Sequence, residues 1–150
     1  FCQIKKKRPE AFLLMVGKGE IENAVRAKAE KIGIQNAYSI FHDRSDVAEI
    51  LQASDAAVFP SFSEGLPITV IEMQFAGLPC VVSDRVNKGV SISNRVQFLS
   101  LEQNAETWAD RLLEMADSKS EIQYYHAEDW DIRYNVKQLE SMYDEARGNG

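Results

Sequence analysis

The chain has 150 residues, of which 45% are hydrophobic and 27% charged, and its net charge is −6. This length supports one domain with a hydrophobic core and is too short for two large lobes. The acidic balance argues against a surface for nucleic-acid backbones or anionic lipids, and no apolar stretch approaches the roughly 18 residues of a membrane span, so we expect neither a nucleic-acid partner nor direct membrane insertion by this segment.

Strand and helix patterns alternate along the first third of the chain. Residues 11–16 are a continuous apolar run that ends at a glycine, as is typical of a parallel strand covered on both faces. Residues 20–31 carry apolar side chains at helical spacing, which predicts a helix. Residues 38–41 predict a second strand, and Ser45 is a candidate N-cap for a helix over residues 46–53.

A third predicted strand, residues 56–59, leads into the most informative stretch of the chain, residues 60–72. Here Glu64 and Glu72 are eight positions apart across the predicted start of a helix. Backbone N–H groups and the positive end of the helix dipole favour an anionic ligand at such a start. The pattern predicts an anion site flanked by two carboxylates, although a bare pair of glutamates is a weak signal in an acidic chain.

The second half of the chain continues the alternation and then becomes helical. Gly77 predicts the end of the central helix, and residues 80–82 predict a buried strand. A short strand is predicted at residues 96–99 and an amphipathic helix at residues 105–116. The remainder, residues 121–147, is expected to be helical. Its expected packing face consists of Trp130, Ile132, Tyr134, Val136, Leu139 and Tyr143.

The two cysteines, Cys2 and Cys80, are far apart in the sequence and do not have the spacing of metal ligands. Cys80 lies in an apolar strand and is expected to be a buried thiol. Since no cluster of His, Cys and Asp has metal spacing either, nothing in the sequence requires a metal ion. This cysteine usage fits a reducing, cytosolic setting.

The alternation predicts an α/β fold, with a Rossmann-like, mostly parallel open sheet, helices on both faces and a helical C-terminus. In such sheets, ligands collect at the carboxyl ends of the strands. Four loops follow predicted strands at that edge, namely residues 17–20, 42–46, 60–66 and 84–94. The glutamate motif is therefore one of several loops that we expect to converge on a single site.

The order of the short motifs is more specific than any one of them. These motifs are Phe12-Leu-Leu-Met-Val-Gly-Lys-Gly19, Ser45-Asp-Val-Ala-Glu-Ile-Leu51, Ala53-Ser-Asp55, Val58-Phe-Pro-Ser61, Glu64-Gly-Leu-Pro67, Glu72, Ala76-Gly-Leu-Pro79 and Val82-Ser-Asp84. In this order they closely resemble the C-terminal lobe of retaining glycosyltransferases of family 4, which have the GT-B fold and are also called the glycosyl transferases group 1 family. The resemblance continues more weakly to Tyr143, and residues 82–101 look most like bacterial exopolysaccharide and capsule transferases.

The resemblance implies that residues 1–150 form a single domain, the nucleotide-sugar-binding lobe of a two-lobed enzyme. It also implies that the N-terminal acceptor lobe and the first strand of this lobe lie outside the sequence. Such a hexosyltransferase moves a sugar from a donor such as a UDP- or GDP-sugar to a glycan or lipid-linked glycan, with retention of configuration. We expect a cytoplasmic enzyme, at the inner face of the membrane as a full-length protein, with no cofactor and no metal, and we expect this fragment alone to be inactive.

The resemblance also assigns roles within the central motif. It implies that Glu64 is the catalytic residue, which lies beside the donor sugar, binds its hydroxyls and so orients it. It implies that Glu72 accepts hydrogen bonds from the ribose hydroxyls, a task that suits an acceptor-only carboxylate. The diphosphate is expected to bind the backbone of Gly65, Leu66, Pro67 and Ile68. Because Pro67 has no N–H, the available donors are Gly65, Leu66, Ile68 and Thr69.

Other positions have two interpretations each. The loop of His42, Asp43 and Arg44 would contact the nucleobase, or it is an ordinary solvated loop. Lys18 would face the nucleotide, or it is an exposed turn lysine. Phe62 would form a wall of the donor pocket, or it packs under its own loop. Ser83, Asp84 and Lys88 are further candidates for contact with the donor.

One departure from the family and two rival functions stay open at this point. Many members follow the last motif strand with a Gly-Gly-x-x-Glu loop, whereas residues 85–94 here read differently. The first rival is a nucleotide-sugar epimerase or phosphorylase on the same two-lobed scaffold. The second is a non-catalytic module that binds nucleotide or contributes to an assembly.

Overall fold

A computed structural model describes residues 1–148 of the chain. The helices are α1 (Cys2–Lys7), α2 (Glu22–Lys31), α3 (Val47–Gln52), α4 (Ile68–Phe75), α5 (Ala105–Asp117) and α6 (Ile132–Gly148), with 3₁₀ turns at Lys88–Val90 and Ala127–Trp130. The strands are β1 (Leu13–Val16), β2 (Tyr38–Phe41), β3 (Ala57–Phe59), β4 (Cys80–Ser83) and β5 (Val96–Leu99).

All five strands run parallel to their neighbours, as the sequence predicts. They form two sheets, one with the order β1-β2 and the other with the order β3-β4-β5. The predicted single open sheet is therefore divided in two, since within the described part of the chain β1 and β3 are not hydrogen-bonded to each other. Each sheet still presents the carboxyl ends of its strands at one edge, and the loops of the candidate site follow those ends.

The core lies around β4, where all four residues are buried. Val70 and Ile71 of α4, Leu51 of α3 and Val90 pack against it. Cys80 is fully buried in this cluster, which confirms the expected buried thiol. Burial raises the pKa of Cys80 from 9.0 to about 12, because the apolar surroundings penalise the thiolate. The thiol therefore stays protonated and unreactive at neutral pH.

Two predictions about the first half of the chain are wrong, one about the burial of β1 and one about the N-cap of α3. The apolar run of β1 predicts a strand buried on both faces, but Leu14 and Val16 are 38% and 44% exposed. They point to the same side of the strand, since side chains alternate along it, and one face of β1 is therefore open. Ser45 is not the N-cap of α3 either, because that position falls on Asp46 and no side chain caps the helix.

The C-terminal part also differs from the sequence prediction. Instead of being helical from residue 121, the chain runs beside residues 92–95, with one antiparallel bridge between Ser93 and Tyr124, and α6 begins at Ile132. Trp130 packs against the core as expected. The remaining residues of the predicted packing face, Ile132, Tyr134, Val136, Leu139 and Tyr143, are exposed.

No helix within residues 1–148 combines the length and the apolar character needed to cross a membrane. In the same range, no group of three or more His, Cys, Asp or Glu side chains is arranged to hold a metal ion.

Candidate functional site

The start of α4 is a set of unpaired backbone donors. Pro67 is the N-cap residue, with ψ of 102°, and as a proline it has no backbone N–H that could be left without an acceptor. Within residues 1–148, no hydrogen bond is donated by the N–H groups of Gly65, Leu66, Ile68 or Thr69. No side chain caps the helix. These four donors are exposed at a helix N-terminus, where the dipole favours an anion.

Buried side chains hold these donors in place. Pro67 is buried, and its carbonyl accepts a hydrogen bond from the N–H of Val70 at 3.1 Å. Val70 and Ile71 are 0% and 3% exposed and pack into the core. The first turn of α4 is therefore anchored from beneath, while its outer side stays open to solvent.

Nothing in the protein itself demands a glycine at position 65. Its φ lies outside the left-handed region, and a Cβ built on Gly65 would have no atom within 4 Å. At Gly77, by contrast, φ is +78° and a Cβ would lie 3.2 Å from the side chain of Ile122. The geometry at Gly65 leaves room for close approach by a group from outside the chain.

Glu64 and Glu72 both present exposed carboxylates. An oxygen of Glu64 accepts a hydrogen bond from the Ser61 hydroxyl at 3.0 Å, which holds the carboxylate near its own loop. Glu72 has no ion pair and no side-chain hydrogen bond within residues 1–148. It shares the outer face of α4 with Ile68, one turn earlier, and side chains on a helix lean towards the N-terminus. Glu72 therefore leans towards the unpaired donors.

A groove of about 240 Å³ runs between α3 and α4 beside Glu72. It is lined by Ala48, Leu51, Gln52, Glu72, Phe75 and Ala76. Apart from Gln52 and Glu72, these side chains are apolar. The groove therefore offers a shallow surface with a carboxylate at its edge.

A second cluster lies at the carboxyl ends of β1 and β2. His42 Nε2 is 2.9 Å from one carboxylate oxygen of Glu22, at the start of α2. The other Glu22 oxygen accepts from Arg26 at 2.8 and 2.6 Å. The sequence analysis did not single out Glu22, because its pairing with His42 depends on the loop after β2 folding back on α2.

The remaining residues of this loop pair locally. Lys18 Nζ is 3.7 Å from a carboxylate oxygen of Asp43, and both side chains are about three-quarters exposed, at 76% and 77%. Arg44 lies over the ring of Phe41, 5.5 Å from its centroid, and binds Asp46. The hydrogen bond with the Arg44 guanidinium lowers the pKa of Asp46. The structure thus joins the loops after β1 and β2 into one polar cluster.

The two clusters are separate in this structure. No hydrogen bond or ion pair within residues 1–148 joins the Lys18 and His42 group to the start of α4. Phe62 is 75% exposed and so does not pack under its own loop. Ser83 is fully buried, and its hydroxyl accepts from the N–H of Arg85, so it supports the loop from within. Asp84 and Lys88 are exposed at the loop surface.

Gln74 is a buried polar residue that the sequence analysis did not single out. It is 0% exposed on the inner face of α4, and its side-chain amide joins the helix to the segment after β4. A buried glutamine in an apolar helix face is a signal in principle, but only the fold shows what it binds.

Comparison with known proteins adds the family. Residues 1–130 match the family described as Glycosyl transferases group 1. A galactosyltransferase of Escherichia coli, named UDP-Gal:alpha-D-GlcNAc-diphosphoundecaprenol alpha-1,3-galactosyltransferase, is 29% identical over 74% of this chain and 29% of its own length. An N,N'-diacetylbacillosaminyl-diphospho-undecaprenol alpha-1,3-N-acetylgalactosaminyltransferase of Campylobacter jejuni is 31% identical over 92% of this chain and 35% of its own.

A solved structure supports the fold. The crystal structure of WaaG, a glycosyltransferase involved in lipopolysaccharide biosynthesis, superposes with a TM-score of 0.59 at 25% identity. The superposition covers 70% of this chain and 28% of that protein. The chain therefore spans about three tenths of the length of these proteins, 28% for WaaG and 29% for the Escherichia coli galactosyltransferase.

Proposed function

We propose that this chain, which belongs to the glycosyl transferases group 1 family, is the donor-binding C-terminal lobe of a retaining, two-lobed sugar transferase of family 4. The observation that carries the proposal is the start of α4, where four unpaired N–H groups lie beside two exposed carboxylates. Such N–H groups suit the diphosphate of a nucleotide-sugar, and carboxylates suit its hydroxyls. One site would thus hold both chemical parts of the donor.

In the proposed reaction, the bond between the anomeric carbon and the diphosphate oxygen breaks, the oxygen of the acceptor hydroxyl forms the new bond to that carbon, and the hydroxyl proton passes to the leaving diphosphate. Negative charge then builds on the leaving diphosphate, and the donors of Gly65, Leu66, Ile68 and Thr69 stabilise it. Glu64, held by Ser61, orients the sugar through its hydroxyls. Glu72, which leans towards the helix start, binds the ribose.

The remaining assignments in the proposal rest on the relatives. Two of them are named for transfer to a sugar on diphosphoundecaprenol, and WaaG is named for lipopolysaccharide biosynthesis. By analogy, the acceptor is a glycan or lipid-linked glycan in the synthesis of a surface polysaccharide. Following the family resemblance, the loop of His42, Asp43 and Arg44 contacts the nucleobase, Lys18 faces the nucleotide, and Phe62 forms part of the donor pocket.

The proposal also includes parts of the enzyme that lie outside residues 1–150. The acceptor lobe and further cations for the diphosphate are supplied by parts of the enzyme outside residues 1–150. Catalysis in such an enzyme depends on closing one lobe on the other, which aligns the acceptor with the anomeric carbon. We therefore expect residues 1–150 alone to bind nucleotide weakly and to transfer little sugar.

Glu72→Gln in the whole protein that carries these residues tests the proposal. We expect it to weaken binding of the matching nucleoside diphosphate about tenfold, because a charged acceptor for the ribose hydroxyls is lost. Its melting temperature should not change, since Glu72 is exposed and unpaired. A panel of UDP-, GDP-, ADP- and TDP-sugars, measured by thermal shift and calorimetry, identifies the donor.

Glu30→Gln, which changes an exposed carboxylate on α2, is the matched control and should bind as the wild type does. Binding of no nucleotide-sugar in the panel would refute the proposal, and so would equal affinities for Glu72→Gln and the wild type. Analysis of the products then separates sugar transfer from epimerisation or phosphorolysis.

A further inference from the structure

The segment after β4 is rigidly anchored but has a cationic tip. Val86, Val90 and Ile92 are 2%, 0% and 1% exposed and are part of the core cluster. Between the first two anchors, the chain comes to the surface at residues 87–89. The centre of that short exposed stretch is Lys88, which therefore projects from a backbone that is fixed on both sides.

The Gln74 side chain fixes this segment to α4. Its Nε2 donates to the carbonyls of Val70 at 3.0 Å and Val90 at 2.6 Å. Its Oε1 accepts from the Ile92 N–H and from the Ser93 hydroxyl, both at 3.0 Å. A glutamine amide has two donors and an acceptor with two lone pairs, so this buried group is fully satisfied.

This amide ties the segment that carries Lys88 to the first turn of α4. One nitrogen binds both the carbonyl of Val70, in the first turn of α4, and that of Val90, two residues after Lys88. Asn87 stiffens the turn by accepting from the Gly89 N–H at 2.9 Å. The first turn of α4 and the backbone of Lys88 are therefore held at a fixed separation.

The Lys88 charge is not used within the described residues. Lys88 has no ion pair in residues 1–148, as is also true of other exposed lysines such as Lys28 and Lys137, so the case for Lys88 rests on its position. Binding an anion at Lys88 costs rotamer entropy of its own side chain but requires no further ordering of the backbone, which is already anchored.

From these contacts we infer that Lys88 supplies positive charge to the phosphates of the nucleotide-sugar bound at the start of α4, and that Gln74 positions it there. This inference rests on the proposed function. Lysine acts on phosphate as a mobile point charge, which complements the directional backbone donors of Gly65 and Ile68. The segment that departs from the family pattern, residues 85–94, thereby gains a role at the same site.

Lys88→Gln in the whole protein tests the inference, with UDP and GDP as the probes in calorimetry. We expect the affinity of the diphosphate that binds to fall about tenfold, with a weaker dependence on salt, because one ionic contact is lost. Lys88→Arg should restore most of the affinity. Lys137→Gln, a change at an exposed lysine on α6, should leave it unchanged.

A double-mutant cycle tests the positioning role of Gln74. Gln74→Met keeps the side-chain length but removes all four hydrogen bonds. If Gln74 acts through Lys88, this change should weaken UDP or GDP binding in the wild-type background and add little in the Lys88→Gln background. A purely structural role would give the same loss in both. If the Gln74→Met protein does not fold, the Lys88 variants decide the inference alone.

Unchanged affinity and salt dependence in Lys88→Gln would overturn the inference while the wild type still binds nucleotide. Failure of the wild type to bind UDP, GDP or their sugars would instead refute the proposed function. The two failures are therefore distinct.

Discussion

Glu72 and Gln74 are two positions apart on α4, and their burial separates their tasks. Glu72 is exposed and unpaired on the outer face, whereas Gln74 is fully buried and makes four side-chain hydrogen bonds. An unpaired exposed carboxylate has capacity left for a ligand, and a satisfied buried amide has none. At the scale of single residues, the outer face of α4 is thus available for binding, and the inner face maintains the structure.

The two glycines flanking α4 should respond in opposite ways to the same substitution. Gly65→Ala should leave the free energy of unfolding within about 0.5 kcal/mol of wild type but weaken nucleotide binding, because the new methyl group occupies the space of an approaching phosphate. Gly77→Ala should lower the free energy of unfolding by about 1–2 kcal/mol, because φ is +78° there and the Cβ would crowd Ile122.

Urea unfolding and calorimetric titration with the matching nucleotide measure both effects. Normal nucleotide affinity in Gly65→Ala would contradict the close approach of a ligand at that position. A Gly77→Ala protein as stable as wild type would contradict the left-handed conformation.

The helices differ in how their first turns are satisfied. At α5, Asn104 accepts hydrogen bonds from the N–H groups of Glu106 and Thr107, at 3.0 and 2.9 Å. At α4, no side chain caps the helix and the first donors stay free. A capped helix end is closed to ligands, whereas an uncapped end that is anchored by a buried core is open to them. The helices α1, α2 and α3 also lack a side-chain cap, so at the scale of elements α4 is distinguished by an uncapped start whose first turn is anchored by the buried Val70 and Ile71.

Substitution of the two candidate cap residues, Asn104 and Ser45, tests the assignment of the helix caps. Asn104→Ala should lower the free energy of unfolding by about 1 kcal/mol, because two backbone donors of α5 lose their acceptor. Ser45→Ala should change it by less than about 0.5 kcal/mol, since Ser45 caps nothing in the structure. Chemical unfolding curves provide the measurement, and equal losses in the two variants would show that the assignment of caps is wrong.

Local signals explain which elements could be predicted from the sequence. The bounds of β2 and β5 match the predicted residues 38–41 and 96–99, and α4 begins between Glu64 and Glu72 and ends before Gly77 as expected. Short apolar runs, proline and glycine act on their own neighbourhood, so the sequence alone reveals them. The exposure of Leu14 in β1 was not predictable, because it depends on what packs against the strand.

The candidate site was predictable to the same degree. The motif singles out Glu64, Glu72 and the backbone donors as candidates, because all of them lie within one short stretch of chain, and their role stays a prediction. The pairing of His42 with Glu22 and the binding of Gln74 to the segment after β4 required the fold, since their partners are 20 and 16 to 19 residues away in the sequence.

At the scale of the whole molecule, parallel strands explain why the candidate loops of each sheet lie together at one edge of that sheet. The carboxyl ends of neighbouring parallel strands lie at the same edge of each sheet, and every candidate loop follows such an end. The loops after β1 and β2 form one polar cluster, and those after β3 and β4 meet at α4. A nucleotide-sugar is an extended ligand, with a base at one end and a sugar at the other, and in our proposal it contacts both clusters.

Hydrogen–deuterium exchange of the whole protein, with and without the nucleotide-sugar that the panel identifies, tests the central claim most directly. The amides of Gly65, Leu66, Ile68 and Thr69 have no partner within residues 1–148 and should exchange quickly in the free protein. We predict that the bound donor slows exchange in peptides covering residues 64–72 and leaves peptides from α6 unchanged. Saturating donor that protects other segments, but not residues 64–72, would contradict the account.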